Sequence, residues 1–166
     1  MGGDYVDIFY SHRLDPDTPL EETIDVLAAL QQKRQIRYIG ASNFAAWQVM
    51  KAQGVAQALG TRIDIIQPMY SLVARYAARY GQDWMAQTAV DLTAFARKHG
   101  QNPATLAVAW AAAHPAVTAP IISARDAAQL QASLDAMDVT LSPDDYAKIS
   151  SLAHTPAPAT DRLEEA

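Results

Sequence analysis

The chain has 166 residues, half of them hydrophobic and 19% charged, with a net charge of −5 and no cysteine. Such a composition is ordinary for a folded globular protein, and it leaves room for one domain with a real core rather than two. It excludes disulfides, thiolate metal sites and a cysteine nucleophile, and it lacks the basic clusters of a nucleic-acid-binding surface. No apolar run approaches the ~18 residues of a membrane span, and the N-terminus has no leader-like pattern. A cytoplasmic location is therefore the expectation, with neither nucleic acid nor membrane as partner.

Tyr5-Val6-Asp7-Ile8-Phe9-Tyr10 is short and rich in aromatic and β-branched residues, so it reads as a strand ending at Ser11-His12-Arg13. Thr18-Pro19-Leu20-Glu21 then reads as a helix start, with Thr18 as cap, Pro19 in the first turn and Glu21 as a capping-box carboxylate. Leu20, Ile24, Leu27 and Leu30 follow at helical spacing and form one apolar stripe, and the helix should stop near Arg34. A second strand, Ile36 to Ala41, precedes Ser42-Asn43 as a cap and a helix from about Phe44 to Leu59. Ile63 to Ile66 is a third strand, ending at Gln67-Pro68. Successive strand–helix units of this kind favour a parallel sheet with crossover helices.

Beyond that the rhythm changes. A helix is expected from Asp83 to Lys98, stopped by His99-Gly100, and another from Asn102-Pro103 to about Ala113. Ala119-Pro120-Ile121-Ile122-Ser123 reads as a short fourth strand, Asp126 as the cap of a helix carrying Leu130, Leu134 and Met137, and Ser142-Pro143 as the start of a last helix to about Leu152. The expected domain is 1–154, with 155–166 a mobile, proline-rich tail.

The chemistry-bearing residues gather where these strands end. His12 can donate a hydrogen bond to a carbonyl oxygen on which charge develops, and strand C-termini are where parallel-sheet enzymes place such groups. Ser42, Asn43 and Gln67 end the second and third strands, and amide side chains offer both a donor and an acceptor to a planar carboxamide. Each has a plainer explanation: a structural histidine, a helix cap, a polar residue before a proline turn. Ser123 and Arg125, ahead of the Asp126 cap, resemble a place where a helix N-terminus and an arginine meet a phosphate; a surface arginine beside a cap is the commoner case. His99, His114 and His154 have no ligand spacing, so no metal site is expected.

Read in order, these segments resemble the aldo-keto reductases. Asp4 to Arg13 with Thr18 to Thr23 is similar to that family's fourth strand and helix. Arg37-Tyr38-Ile39-Gly40-Ala41-Ser42-Asn43-Phe44 resembles its fifth strand, and Ile66-Gln67-Pro68-Met69-Tyr70-Ser71-Leu72 the end of its sixth. Leu106 to Trp110, Ala119 to Arg125 and Gln129-Leu130 resemble its final helix–strand–helix segment. The resemblance implies an α/β fold, a partial (β/α) TIM barrel of about four parallel strands with crossover helices, and NADPH-linked reduction of an aldehyde or ketone. His12 would orient the substrate carbonyl; Ser42, Asn43 and Gln67 would hold the nicotinamide carboxamide; Ser123, Arg125 and Gln129 would lie near the adenosine phosphate of NADP(H).

The departures from the family pattern are equally specific. Its first three strand–helix units, which carry the catalytic Asp, Tyr and Lys, have no counterpart, and no tyrosine here follows the proton donor's motif. Where a seventh strand and diphosphate loop belong, only Val73 to Arg79 stands. Ala132 and Ser133 replace the family's adenine-gripping Glu and Asn, and Ser123 replaces a glycine. General acid catalysis contributes roughly 10²–10⁴-fold, so reductase activity in this chain alone should be weak or absent. The alternatives are a non-redox enzyme or small-ligand-binding protein that reuses the pocket around His12, and a non-catalytic remnant. A closed barrel needs eight strands, so a homodimer that completes the barrel is a further expectation.

Overall fold

A computed structural model describes residues 4–69 and 83–153. They fall in two compact units, one holding residues 4–69 and the other residues 83–153. The tail beyond residue 154 and the Val73 to Arg79 stretch lie outside the described residues. No helix among the described residues is long and apolar enough to cross a membrane.

The first unit alternates strand and helix: β1 (Val6–Ser11), α1 (Leu20–Gln32), β2 (Ile36–Ser42), α2 (Ala46–Ala58) and β3 (Ile65–Gln67). The strands form one parallel sheet in the order β1-β2-β3. The apolar stripe of α1 delivers Leu20, Ile24 and Leu27 into a core with Ile36 and Ile39 of β2 and Ala52 and Ala56 of α2; Leu30 packs against it, partly buried. Alanines at the α2 contact leave room for close approach of the helix backbone.

Register sets what shares a face. Val6 pairs with Ile36, Tyr10 with Gly40, Ser11 with Ala41, and Ser42 with Gln67. Tyr10 uses the gap left by Gly40: a Cβ there would run into the tyrosine ring. A missing side chain on the central strand thus lets the ring of its neighbour lie across the sheet.

Three local expectations change. Thr18 does not cap α1: Pro19 is the cap residue with no side-chain cap bond, and the Thr18 hydroxyl is engaged with Asp15 instead, donating to Oδ2 at 2.8 Å. Nor do Ser42-Asn43 cap α2, which starts after Ala45 with the Ala45 N–H donating to Gln48 Oε1 at 2.8 Å. β3 begins two residues later than the apolar run, since the Asp64 carboxylate itself accepts the Ile39 N–H of β2 at 3.0 Å. A side chain stands where a ladder carbonyl would.

The second unit is helical: α3 (Asp83–Lys98), α4 (Pro103–Ala112), α5 (Ala127–Leu134), a 3₁₀ turn (Asp135–Asp138) and α6 (Pro143–Leu152). Leu92, Trp110 and Ile149 form its core, with Phe95, Tyr146 and Leu152 packed around them. The indole N–H of Trp110 donates to Ser150 Oγ at 2.9 Å, and the Thr88 hydroxyl to the Leu152 carbonyl at 3.0 Å. Asn102, Asp126 and Ser142 are side-chain caps, as the sequence suggests. The fourth strand does not form. Residues 119–123 belong to no sheet among the described residues, and Ile121 is 74% exposed. Pro120 removes a ladder donor from a five-residue segment. Among the described residues the sheet therefore has three strands rather than four.

Candidate functional site at the strand ends

Because β1, β2 and β3 are parallel and adjacent, their C-terminal residues come out along one edge of the sheet. The last ladder pair of β1 is Ser11 with Ala41, and the last of β2 is Ser42 with Gln67. His12 and Asn43 follow immediately. The positions singled out from the sequence in the first unit are thus neighbours in space.

Side chains lace the three ends together. Asn43 Nδ2 donates to the His12 carbonyl at 2.8 Å and to Ser42 Oγ at 3.1 Å. Ser42 Oγ in turn donates to the Gln67 carbonyl at 3.3 Å. The Asn43 backbone N–H faces the same Gln67 carbonyl at 3.5 Å. This geometry needs Asn43 in the left-handed region, at φ 57°, a conformation asparagine tolerates better than most residues. Ser42 is 5% exposed, whereas His12 and Asn43 are exposed and Gln67 is half-buried.

Proton counting shows what remains for a ligand. Both hydrogens of the Asn43 amide and the single hydroxyl hydrogen of Ser42 are committed within the lacing. An amide nitrogen must face the His12 carbonyl, since a carbonyl oxygen accepts only, so the orientation of the Asn43 amide is fixed. Asn43 Oδ1 remains as an acceptor. The Gln67 side-chain amide remains as donor and acceptor, because only its backbone carbonyl is used here.

The loop leading away from His12 is built around Asp15. Its carboxylate accepts from the Thr18 hydroxyl and from the Asp17 N–H at 3.1 Å. The Thr18 bond first, then the Asp17 bond, hold the Asp15 carboxyl below the usual carboxylate range. At the opposite end of the sheet, Arg62 donates from Nε to Asp64 Oδ1 at 2.7 Å, and this bond followed by the charge of Asp64 raises the guanidinium pKa.

In the second unit, Gln129 donates its backbone N–H to Asp126 Oδ1 at 2.8 Å and accepts the Arg125 N–H on Oε1 at 3.2 Å. An Asp cap, and a Gln three residues on whose side chain reaches back to the residue before the cap, together close the start of α5. Ser123 and the Arg125 side chain are exposed beside that helix start.

A parallel β/α unit with polar strand ends is a frame that known proteins share. The model of the aldo/keto reductase family matches residues 1–81 and 76–154. The chain belongs to the aldo/keto reductase family. L-glyceraldehyde 3-phosphate reductase of Escherichia coli strain K12 is 38% identical over 81 residues, covering 49% of this chain and 23% of that protein. The 6-dehydroglucose reductase of Agrobacterium fabrum strain C58 is 25% identical over 177 residues, covering 92% of this chain and 59% of its own. A crystal structure of a thermostable aldo-keto reductase in complex with the inhibitor epalrestat matches with a TM-score of 0.74 at 29% identity, over 90% of this chain and 61% of that one. The matched parts of the chain cover between 23% and 61% of the length of these proteins. Its fold is a partial (β/α) barrel of the aldo-keto reductase type, with three described strands.

Proposed function

We propose that the strand-end group of His12, Asn43 and Gln67 is the nicotinamide side of an NADP(H) site, and that His12 meets the carbonyl oxygen of an aldehyde or ketone. The observation that carries this reading is the set of polar groups left open by the lacing. Asn43 Oδ1 accepts and the Gln67 amide donates, which complements the NH₂ and C=O of a primary carboxamide. Ser42 acts behind them, buried, holding Asn43 in place.

NADPH, when bound, supplies the hydride. The protein's own contribution is orientation: Asn43 and Gln67 fix the carboxamide, and the imidazole of His12 offers an N–H to the carbonyl oxygen. No tyrosine of this chain takes the family's proton-donor motif, so turnover by the chain alone should be slow.

Titration with NADPH, followed by quenching of tryptophan fluorescence and by the rise in Tm that ligand binding produces, tests the reading. Binding is expected, and Gln67→Leu should weaken it by roughly 2- to 10-fold, the worth of a hydrogen bond. No response at millimolar NADPH would remove the cofactor from the account. Stabilisation by carbonyl compounds alone, abolished in His12→Ala, would mark a ligand-binding protein that has left redox chemistry.

The proposal includes a homodimer. β1 and β3 are edges of the described sheet, and Ile8, Phe9 and Tyr38 are exposed on it. Open edges and bare apolar side chains invite pairing with a second copy. Light scattering at micromolar concentration should give twice the chain mass; a monomer there rules the dimer out.

A further inference from the structure

Ladder bonding at the end of β1 stops at the Ser11–Ala41 pair, yet His12 is the residue on which the proposed chemistry depends. What holds its peptide is Asn43 Nδ2, which reaches the His12 carbonyl at 2.8 Å from 31 residues away. We infer that Asn43 is a positioning residue for His12, acting through that residue's backbone, in addition to facing a ligand with Oδ1. The functional weight of this inference rests on the proposed site; the geometry itself does not.

Two peptide planes flank the His12 Cα. The preceding one is held in the sheet, and the following one is held by the asparagine amide in place of a ladder N–H. With both planes fixed, the Cα–Cβ direction is fixed, and only the two side-chain torsions of the imidazole stay free. Releasing the second plane adds backbone rotation to those torsions, and the imidazole then samples a wider volume. A site that uses His12 needs it held to a fraction of an ångström.

Three features show that the amide does this work specifically. The left-handed backbone at Asn43, φ 57°, aims its side chain back at β1. Its second hydrogen is tied to Ser42 Oγ at 3.1 Å, which stops the amide from rotating. The Ser42 hydroxyl is in turn directed by the Gln67 carbonyl. All the donors sit at the β2 end: one bond runs out to β1, one to β3, and the third joins Asn43 to Ser42 between them.

The test needs no cofactor. The ring Cε1–H line of His12 is assigned by its loss in His12→Gln, with the His99 and His114 lines as internal references. Asn43→Gly keeps the left-handed backbone at no steric cost and deletes both donors. Its His12 line should move or broaden, while the reference lines and the far-UV circular dichroism stay as in the parent. Ser42→Ala leaves the bond to the His12 carbonyl in place and should move the line less. Asn43→Asp, which keeps the shape but has acceptors where the donors were, should displace it as well. An unmoved His12 line in either folded Asn43 variant overturns the inference, and so does a Ser42→Ala shift as large as that of Asn43→Gly. Failure of NADPH to bind would sink the cofactor reading while leaving these spectra to stand.

Discussion

Truncating Ile39 to alanine should lower the unfolding free energy by about 2–5 kcal/mol, the range for deleting a fully buried aliphatic side chain. Ile39 is 0% exposed and belongs to the central strand of the described sheet. Its core companions come from both helices of the first unit: Leu20, Ile24 and Leu27 from α1, Ala52 and Ala56 from α2. Two of these are alanines on one helix. They have no longer side chain to swing into the vacated space, which places the expected loss in the upper part of the range. The sheet's neighbouring Ile66, 53% exposed, is the control. Its truncation should change stability by no more than about 0.5 kcal/mol, as for surface sites generally. Urea denaturation reads both, with an unchanged slope required for the comparison. Equal effects at the two sites would mean that no core separates them.

The contrast between those two isoleucines marks what the sequence disclosed. Runs of aromatic and β-branched residues place β1 and β2, and helical spacing places α1 and α3, almost residue for residue, because both are local patterns. The α3 bounds, Asp83 and Lys98, were legible from its stop at His99-Gly100. Polar side chains were harder. Asp126 and Ser142 cap helices three residues away, within the reach of a sequence window. Ser42 and Asn43 have the same chemistry but spend it on partners 25 and 31 residues distant, and nothing local distinguishes the two cases. Thr18 turns its hydroxyl to Asp15 on its other side rather than to a helix N–H. The 119–123 segment has a strand's composition, but a strand also requires a hydrogen-bonding neighbour. The edge on which His12, Asn43 and Gln67 meet was visible once the strands were taken as parallel. The direction of the hydrogen bonds that join them was not, and it is that direction which leaves Asn43 Oδ1 as an open acceptor.

Asp64 is the clearest case of a polar residue whose importance no motif announced, and removing it should cost about 1–3 kcal/mol. Its side chain is 9% exposed. Oδ2 accepts the Ile39 N–H at 3.0 Å, and the Asp64 backbone N–H returns a bond to the Ile39 carbonyl at 2.8 Å. Residue 64 thereby replaces one rung of the sheet between β2 and β3, joined to the strand that carries the fully buried Ile39. In Asp64→Ala the Ile39 N–H loses its acceptor in a partly buried setting, and the desolvation cost of that orphan is the main loss. The ion pair contributes little, since Arg62 is 72% exposed and exposed pairs are worth about 0–1 kcal/mol. Two further variants separate the terms. Arg62→Gln removes the ion pair alone and should be nearly neutral, while Asp64→Asn keeps an oxygen for the Ile39 N–H and should fall between. Amide exchange at Ile39 supplies the local readout, with protection expected to drop in Asp64→Ala and persist in Arg62→Gln. If Arg62→Gln proves as costly as Asp64→Ala, charge rather than the replaced rung joins β3 to β2, and the late start of that strand needs another cause.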